Sequence, residues 1–185
     1  MGSSHHAGNL SPEYALLGFL AGGPSYGYDL HQRFVAELGH VWHLSQSQAY
    51  AILKRSESRG EITARLVEQD KLPARQILRI TATGRRRFTE WLECGVGRNA
   101  RAIRLELLTR LYFISLQSPE KIPIIYAAQL AEIEESIERL EDLLAHLPPK
   151  QLFNRLSLDL RLRQMRSIQD WMEEIKNQFH IEAKK

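Results

Sequence analysis

The feature that most constrains this chain is a short capped helix followed directly by two strand-like runs. Ser45 and Gln48 have the spacing of a capping box, and Gly60 is placed to end the helix that they begin. Residues 61–67 and 75–81 are rich in β-branched and aliphatic side chains, and a polar turn separates them. A helix that leads into a β-hairpin leaves few possible folds for this part of the chain.

Three more helices are predicted around this segment. Ser11 begins the first helix, and Ser25 is expected to cap the second, in which Tyr28 and Val35 are candidate core residues. A fourth helix is predicted from residue 81 to residue 92. Three helices, a β-hairpin and a closing helix in this order are typical of a winged helix-turn-helix, whose recognition helix enters the major groove of DNA.

The second half of the chain consists of three long helical patterns. Apolar residues from Tyr126 to Leu147 recur at alternating steps of four and three, which is a heptad seam. Three amphipathic helices need their apolar faces covered, and a bundle between two copies covers them. We therefore expect a homodimer, with an intramolecular three-helix bundle as the alternative. The predicted interface residues are Leu107, Leu111, Tyr126, Leu130, Ile133, Ile137, Leu140, Leu144, Leu158, Leu162, Met165 and Met172.

The sequence thus predicts a mainly α-helical protein in two parts. Residues 11–95 form a winged helix-turn-helix of three to four helices with a β-hairpin wing, and residues 101–180 form a long-helix dimerisation domain. Glycines make residues 96–100 the natural hinge. Residues 1–10 are interpreted as a disordered tag remnant.

Charge and composition narrow the class of protein. Residues 11–100 contain 12 Lys and Arg against 9 Asp and Glu, whereas residues 101–185 contain 13 of each, so the basic excess points weakly to a polyanion partner of the first half. The single cysteine, Cys94, indicates a reducing setting, and we expect a cytoplasmic protein without a membrane span. No acid, base and nucleophile converge, and His31, expected at the surface, lacks partners for zinc. We therefore expect neither an enzyme, nor a cofactor, nor a metal site.

The candidate DNA contacts lie on the predicted recognition helix, residues 45–59, and on the wing. Side chains at the start of the helix are short or polar, and glutamine pairs bidentately with adenine. Cations further along the helix and at the wing tip suit phosphates, as does a tyrosine at the start of the second helix. A merely solvated polar face is the alternative. The candidate residues are Tyr26, Ser45, Gln46, Ser47, Gln48, Tyr50, Lys54, Arg55, Lys71 and Arg75.

The first half of the chain resembles the phenolic-acid-decarboxylase regulator (PadR) family. The residues that carry the resemblance are 15–20, 23–30, 42–45, 50–55 and 78–84. The second half is similar to the helical region of that family's virulence-activator-like subgroup, best at residues 109–113. The resemblance implies a homodimeric regulator, mostly a repressor, that binds a palindromic operator in double-stranded DNA and is released by a small, often aromatic, ligand.

Four residues depart from the pattern of that family. Gln48 and Ala51 change the edge of the recognition helix that faces the groove, so the operator sequence does not carry over. Ser56 and Glu61 replace apolar residues, and we expect looser packing beneath the helix. Arg87 and its two neighbouring arginines are expected to form a solvated face. A small-molecule sensor and a protein-interaction adaptor built on a winged helix stay open as alternative functions.

Overall fold

The computed structural model of the chain describes residues 10–69, 72–96 and 99–179. The chain divides into two compact units, with the boundary between Cys94 and Gly95. The predicted tag remnant lies outside the described residues except for Leu10, and Lys71 of the predicted wing lies outside them as well. Within the described ranges, no helix is long and apolar enough to cross a membrane.

The N-terminal unit, described over residues 10–69 and 72–94, is a winged helix-turn-helix, as predicted. Its strands form an antiparallel sheet in the order β1-β3-β2, in which β2 and β3 are the wing and the short strand β1 is an addition that the sequence did not predict. The elements are α1 Glu13–Ala21, β1 Ser25–Tyr26, α2 Gly27–Leu38, α3 Gln46–Ser58, β2 Ile62–Gln69, β3 Leu72–Ile80 and α4 Ala82–Glu93.

Both ends of α3 are set by local sequence. The predicted capping box is present, because the Gln48 amide donates to Ser45 Oγ at 3.2 Å and the Ser45 amide donates to Gln48 Oε1 at 2.9 Å. At the other end Gly60 has a φ of +69°, a value that favours glycine. The amides of Gly60 and Glu61 then donate to carbonyl oxygens in the last turn of the helix, which satisfies acceptors that have no partner inside it.

The core of the N-terminal unit is built around α1, which is apolar on all sides. Its buried residues pack with side chains of α2, α3, α4 and the sheet, so each of these elements is anchored to the same helix. The largest fully buried side chains of this unit are Leu16, Leu17, Leu20, Leu30, Phe34, Ile62 and Phe88.

An ion cluster joins α1, the end of α3, the start of the wing and α4. It consists of Glu13, Arg59, Glu61 and Arg87. Arg59 Nη2 lies 2.7 Å from Glu13 Oε1, and Arg59 Nε donates to Glu61 Oε1 at 2.9 Å. Arg87 Nη1 donates to carboxylate oxygens of both Glu13 and Glu61. Two carboxylates and two guanidinium groups thus balance each other over the core.

This cluster overturns two expectations about packing. Ser56 and Glu61 do not loosen the structure, since only 1% of Ser56 and 4% of Glu61 is exposed. Arg59 Nη2 donates to Ser56 Oγ at 3.3 Å, and Arg59 also donates to Glu61, so both polar replacements are bound by the same arginine. Arg87 is not part of a solvated face, because it is drawn between Glu13 and Glu61. Both expectations failed because the partners in the cluster are far apart in the sequence and meet only in the folded chain.

The cluster also changes the acidity of Glu61. Burial alone raises the pKa of this carboxyl group, but the hydrogen bond from Arg59 and the charges of Arg87 and Arg59 outweigh it. The pKa of Glu61 therefore lies below its ordinary value of 4.5. The carboxylate stays ionised in the folded chain under conditions that protonate an exposed glutamate.

The start of α2 differs from the prediction. Ser25 does not cap this helix, because residues 25 and 26 pair with residues 78 and 77 of β3, and the Ser25 hydroxyl donates to the Tyr26 carbonyl. Tyr28 and Val35 are exposed, so neither belongs to the core. His31, expected at the surface, is instead buried, with Nε2 at 2.9 Å from the Leu44 carbonyl oxygen.

The helical unit, described over residues 95–96 and 99–179, contains two long helices and a shorter interrupted one. The elements are α5 Ala100–Ala102, a π-helical segment Ile103–Leu107, α6 Leu108–Gln117, a 3₁₀ turn Pro119–Lys121, α7 Ile122–His146 and α8 Leu152–Lys176. The first three follow one another without a break. The long-helix plan predicted for residues 101–180 is therefore present.

The heptad seam is largely buried within one chain. α7 and α8 form an antiparallel pair, in which Tyr126 Oη donates to the Met172 carbonyl at 2.9 Å and Arg166 Nη2 lies 2.6 Å from Glu141 Oε1. Of the residues predicted for a dimer interface, Leu130, Leu144 and Leu158 are half-buried. Burial inside a single chain already accounts for the others, which are Leu107, Leu111, Tyr126, Ile133, Ile137, Leu140, Leu162, Met165 and Met172.

We expect Glu61→Gln to destabilise the chain at pH 7 by about 2 kcal/mol, because it removes a charged acceptor from two arginines. Since the pKa of Glu61 is lowered in the folded chain, its contribution is present above the ordinary value of 4.5 and is lost as the pH falls below it. The variant should therefore lose less stability than the parent between about pH 5 and pH 3. Urea unfolding at several pH values measures this difference.

Glu37→Gln is the matched control, because Glu37 is an exposed glutamate on α2. It should leave both the free energy of unfolding and its pH dependence near those of the parent. An equal pH dependence in Glu61→Gln and the parent would contradict the role given to the cluster.

Candidate nucleic-acid interface

α3 buries one side against the core and exposes the other. Its buried residues are Ala49, Ile52, Leu53 and Ser56. Successive residues of a helix are rotated by about 100°, so the residues on the opposite side follow from this set. The outward face of α3 consists of Ser47, Ala51, Lys54 and Ser58, all of them exposed.

The remaining exposed residues of α3 flank the outward face. Gln48 and Arg55 lie along one edge, and Tyr50 and Glu57 lie along the other. Gln46 lies in the first turn and is exposed as well. The helix therefore presents one small apolar side chain among hydroxyl, amide and charged groups.

The capping box limits what Gln48 can do. Its Oε1 accepts the Ser45 amide at 2.9 Å, while Ser45 Oγ accepts the Gln48 amide. Bidentate recognition of adenine needs the amide oxygen of glutamine as well as its nitrogen. With the cap intact, one of the two lone pairs of Oε1 is used, and Gln48 keeps the other lone pair and its NH₂ group for a ligand. The cap therefore fixes the orientation in which this side chain meets a base.

The outer face of the wing carries three arginines. Thr63, Arg65 and Val67 of β2 lie opposite Arg79, Ile77 and Arg75 of β3, and side chains of directly paired residues share one face of a sheet. Arg65, Arg75 and Arg79 therefore lie on the same face and are exposed. Because Tyr26 pairs with Ile77, β1 adds the half-buried Tyr26 to this face.

A cavity of about 670 Å³ lies where the start of α2, α3 and β3 meet. It brings together several of the predicted contact residues, which stand on three separate elements. Its charged and aromatic lining consists of Tyr26, Tyr28, Asp29, Tyr50, Lys54, Glu57 and Arg75. Tyr26, Tyr50, Lys54 and Arg75, which were predicted as contacts on separate elements, thus line one cavity.

Gly27 allows the ring of Tyr50 to lie against the first turn of α2. A Cβ atom at position 27 would lie 2.8 Å from Cε1 of Tyr50, which is closer than such atoms approach each other. Tyr50 is thus held at the edge of α3 by a neighbour without a side chain. Tyr28, assigned to the core from the sequence, instead lines the cavity with 55% of its surface exposed. Tyr28 directly follows β1 in the chain, and the pairing of β1 with the distant strand β3 has no local signal in the sequence.

Comparison with known proteins gives the relatives of this chain. The model of the transcriptional regulator PadR-like family matches residues 16–90, and the model of the virulence activator alpha C-terminal region matches residues 103–180. The negative transcriptional regulator PadR of Bacillus subtilis (strain 168) is 27% identical over 172 residues, which cover 88% of this chain and 94% of that protein.

Two solved structures of the Bacillus subtilis protein are similar to this chain. The complex of PadR with operator DNA is 26% identical, covers 90% of this chain and 98% of that chain, and has a TM-score of 0.43. The complex of PadR with p-coumaric acid is 26% identical, covers 92% of this chain and 96% of that chain, and has a TM-score of 0.40.

The capping box generates a test of its own. We expect Gln48→Ala to lower the free energy of unfolding by about 1 kcal/mol, because the Ser45 amide loses its acceptor. Gln48→Glu should keep most of the stability, since a carboxylate accepts the same hydrogen bond. Gln46→Ala, a neighbouring exposed position, is the control and should change little. Urea denaturation of the three variants at one pH compares them, and equal losses in Gln48→Ala and Gln46→Ala would contradict the cap.

Proposed function

We propose that this chain is a PadR-like transcriptional regulator that binds double-stranded DNA through α3 and the outer face of the wing, because the PadR-like family model matches residues 16–90 and the virulence activator alpha C-terminal model matches residues 103–180. The observation that carries this proposal is the exposed outward face of α3, Ser47, Ala51, Lys54 and Ser58, in the unit that also carries the wing arginines. A helix of this kind fits the major groove, whose width admits one α-helix.

The roles of the side chains divide by chemistry. Lys54 and Arg55 on α3, with Arg65, Arg75 and Arg79 on the wing, hold phosphates, because cationic contacts to the backbone give affinity without sequence information. Base edges are read by uncharged side chains of α3, namely Gln46, Ser47, Gln48, Tyr50 and Ala51. Tyr26 donates a hydrogen bond from its hydroxyl group to a DNA phosphate beside the wing. Ser45 acts as the cap of α3 and does not contact bases.

The proposal includes a homodimer that uses the opposite side of α8. Its buried residues, such as Leu162, Met165 and Met172, face the α7 partner within the chain. The other side of α8 carries an exposed apolar stripe. The stripe consists of Leu152, Phe153, Leu156 and Leu160, and 83% of Phe153 is exposed.

A second copy of the chain is the occupant that we assign to the apolar stripe. Contiguous apolar surface of this kind marks a contact with another protein or a membrane, and a two-fold interface places the same stripe on both copies. A two-fold dimer also presents two copies of α3, about 34 Å apart when they occupy successive turns of one DNA face. Because the two copies of α3 are related by a two-fold axis, the two half-sites of the operator form a palindrome.

The remaining parts of the proposal concern regulation. The name of the Bacillus subtilis relative, a negative regulator, favours repression. Release of DNA by a small aromatic ligand is supported by the tyrosine-lined cavity beside α3, whose volume of about 670 Å³ is in the range of small-molecule sites. A ligand there lies against Tyr50 and Lys54 and therefore competes with DNA for the same side chains.

Salt dependence separates phosphate contacts from base contacts. We expect the logarithm of the affinity for duplex DNA to fall linearly with the logarithm of salt concentration, and Lys54→Ala to reduce the magnitude of that slope by about two, because each copy in the dimer loses one phosphate contact. Lys150→Ala is the control, because Lys150 is exposed in the turn between α7 and α8. Fluorescence anisotropy with a labelled duplex gives the slopes between roughly 50 and 200 mM salt, the range over which phosphate contacts respond. Absence of duplex binding at low salt would contradict the proposed function.

The dimer is tested on the apolar stripe itself. Leu156→Glu places a charge within the stripe, so we expect monomers at concentrations at which the parent is dimeric, with weaker binding to a two-site duplex. Gln32→Glu introduces the same charge at an exposed position of α2, far from the stripe in sequence and in the other unit, and should leave the dimer intact. Analytical ultracentrifugation measures the masses. A Leu156→Glu variant that stays dimeric rules out the stripe as the interface.

A further inference from the structure

Ala51 occupies a position on α3 that no structural need explains. It is exposed at the centre of the outward face, with Ser47 one turn before it and Lys54 one turn after it. The helix buries Ala49, Ile52, Leu53 and Ser56 instead, so the methyl group of Ala51 adds nothing to the core. It is the one apolar side chain on this face, and its neighbours there are Ser47, Lys54 and Ser58.

Its neighbours on α3 are placed so that Ala51 is the residue that approaches a base pair most closely. Gln48 uses its Oε1 in the capping box, and Tyr50 is turned to the edge of α3 by its packing on Gly27. Ser47 and Ala51, which are short, therefore allow the helix axis to lie near the floor of the groove. The major-groove edge of thymine presents a C5-methyl group, and alanine contacts it by apolar burial.

We infer that Ala51 is a specificity-determining residue that recognises thymine through its C5-methyl group. The inference rests on the proposed binding of DNA by α3. Contact between two methyl groups removes apolar surface from water without using a hydrogen bond, so it distinguishes thymine from any base that lacks the methyl group. Lys54, one turn further, holds the neighbouring phosphate and fixes the register in which Ala51 meets its base pair.

The experiment compares thymine with deoxyuridine, which pairs with adenine in the same way but lacks the C5-methyl group. Preferred duplexes are first selected from a random library with the full chain. Each thymine of the preferred duplex is then replaced singly by deoxyuridine. For the parent chain we expect one position in each half-site at which the replacement weakens binding roughly fourfold, the effect of losing one buried methyl group.

The same series with Ala51→Gly tests the assignment of that contact to Ala51. We expect this variant to bind the thymine and deoxyuridine duplexes equally at the sensitive position, while its response elsewhere matches that of the parent. Ala51→Ser repeats the measurement in a variant that keeps the helix better, and it should also lose the discrimination. Ala36→Gly, an exposed alanine of α2, controls for the loss of helix stability and should keep the discrimination.

The outcomes separate this inference from the function on which it rests. If the parent binds duplex DNA but no position distinguishes thymine from deoxyuridine, the role of Ala51 is refuted and the DNA-binding function stands. The role is equally refuted if Ala51→Gly discriminates as strongly as the parent. If the parent binds no duplex at low salt, the proposed function fails and the inference fails with it.

Discussion

The ion cluster of Glu13, Arg59, Glu61 and Arg87 is the constraint on which the geometry of the N-terminal unit depends. It ties the end of α3 to α1, to the first residues of the wing and to α4. Each carboxylate meets two arginines, so removing any one member leaves the oppositely charged members with one counterion instead of two, which is costly for buried carboxylates. The cluster thus sets the angle at which α3 leaves the core and meets the wing.

The two ends of α3 are therefore fixed by different means, one local and one long-range. The capping box fixes the start, and the ion cluster fixes the end through Arg59. Between them the helix presents its outward face to solvent. The same arrangement orients the side chain of Gln48, because the cap uses one lone pair of its amide oxygen.

Local sequence signals predicted the parts of the fold that depend on near neighbours. The capping box of Ser45 and Gln48 and the turn at Gly60 involve residues a few positions apart, and both are present. Ser25 failed as a cap because its real partner, Leu78 in β3, is more than 50 residues away. Glu61 was read as a packing defect for the same reason, since Glu13 and Arg87 become its neighbours only in the folded chain.

The helical unit shows a different limit of sequence patterns. The heptad seam from Tyr126 to Leu147 predicts a buried stripe, but spacing alone does not tell whether the partner helix belongs to the same chain. α8 is that partner, with Met172 accepting the hydroxyl hydrogen bond of Tyr126. The exposed stripe with Phe153 then appears only after this pairing is known, because its residues are those that α7 leaves uncovered. The candidate contact residues were predicted element by element, on α3, on the wing and at the start of α2. That several of them line one cavity became visible only in the folded structure.

Amide hydrogen exchange of the full chain, with and without duplex DNA at low salt, tests the central claim most directly. The measurement reports where DNA protects the backbone, independently of any substitution. The account predicts slower exchange in α3, residues 46–58, and in the wing strands when the duplex is present. Protection confined to α7 and α8, with α3 and the wing unchanged, would contradict it.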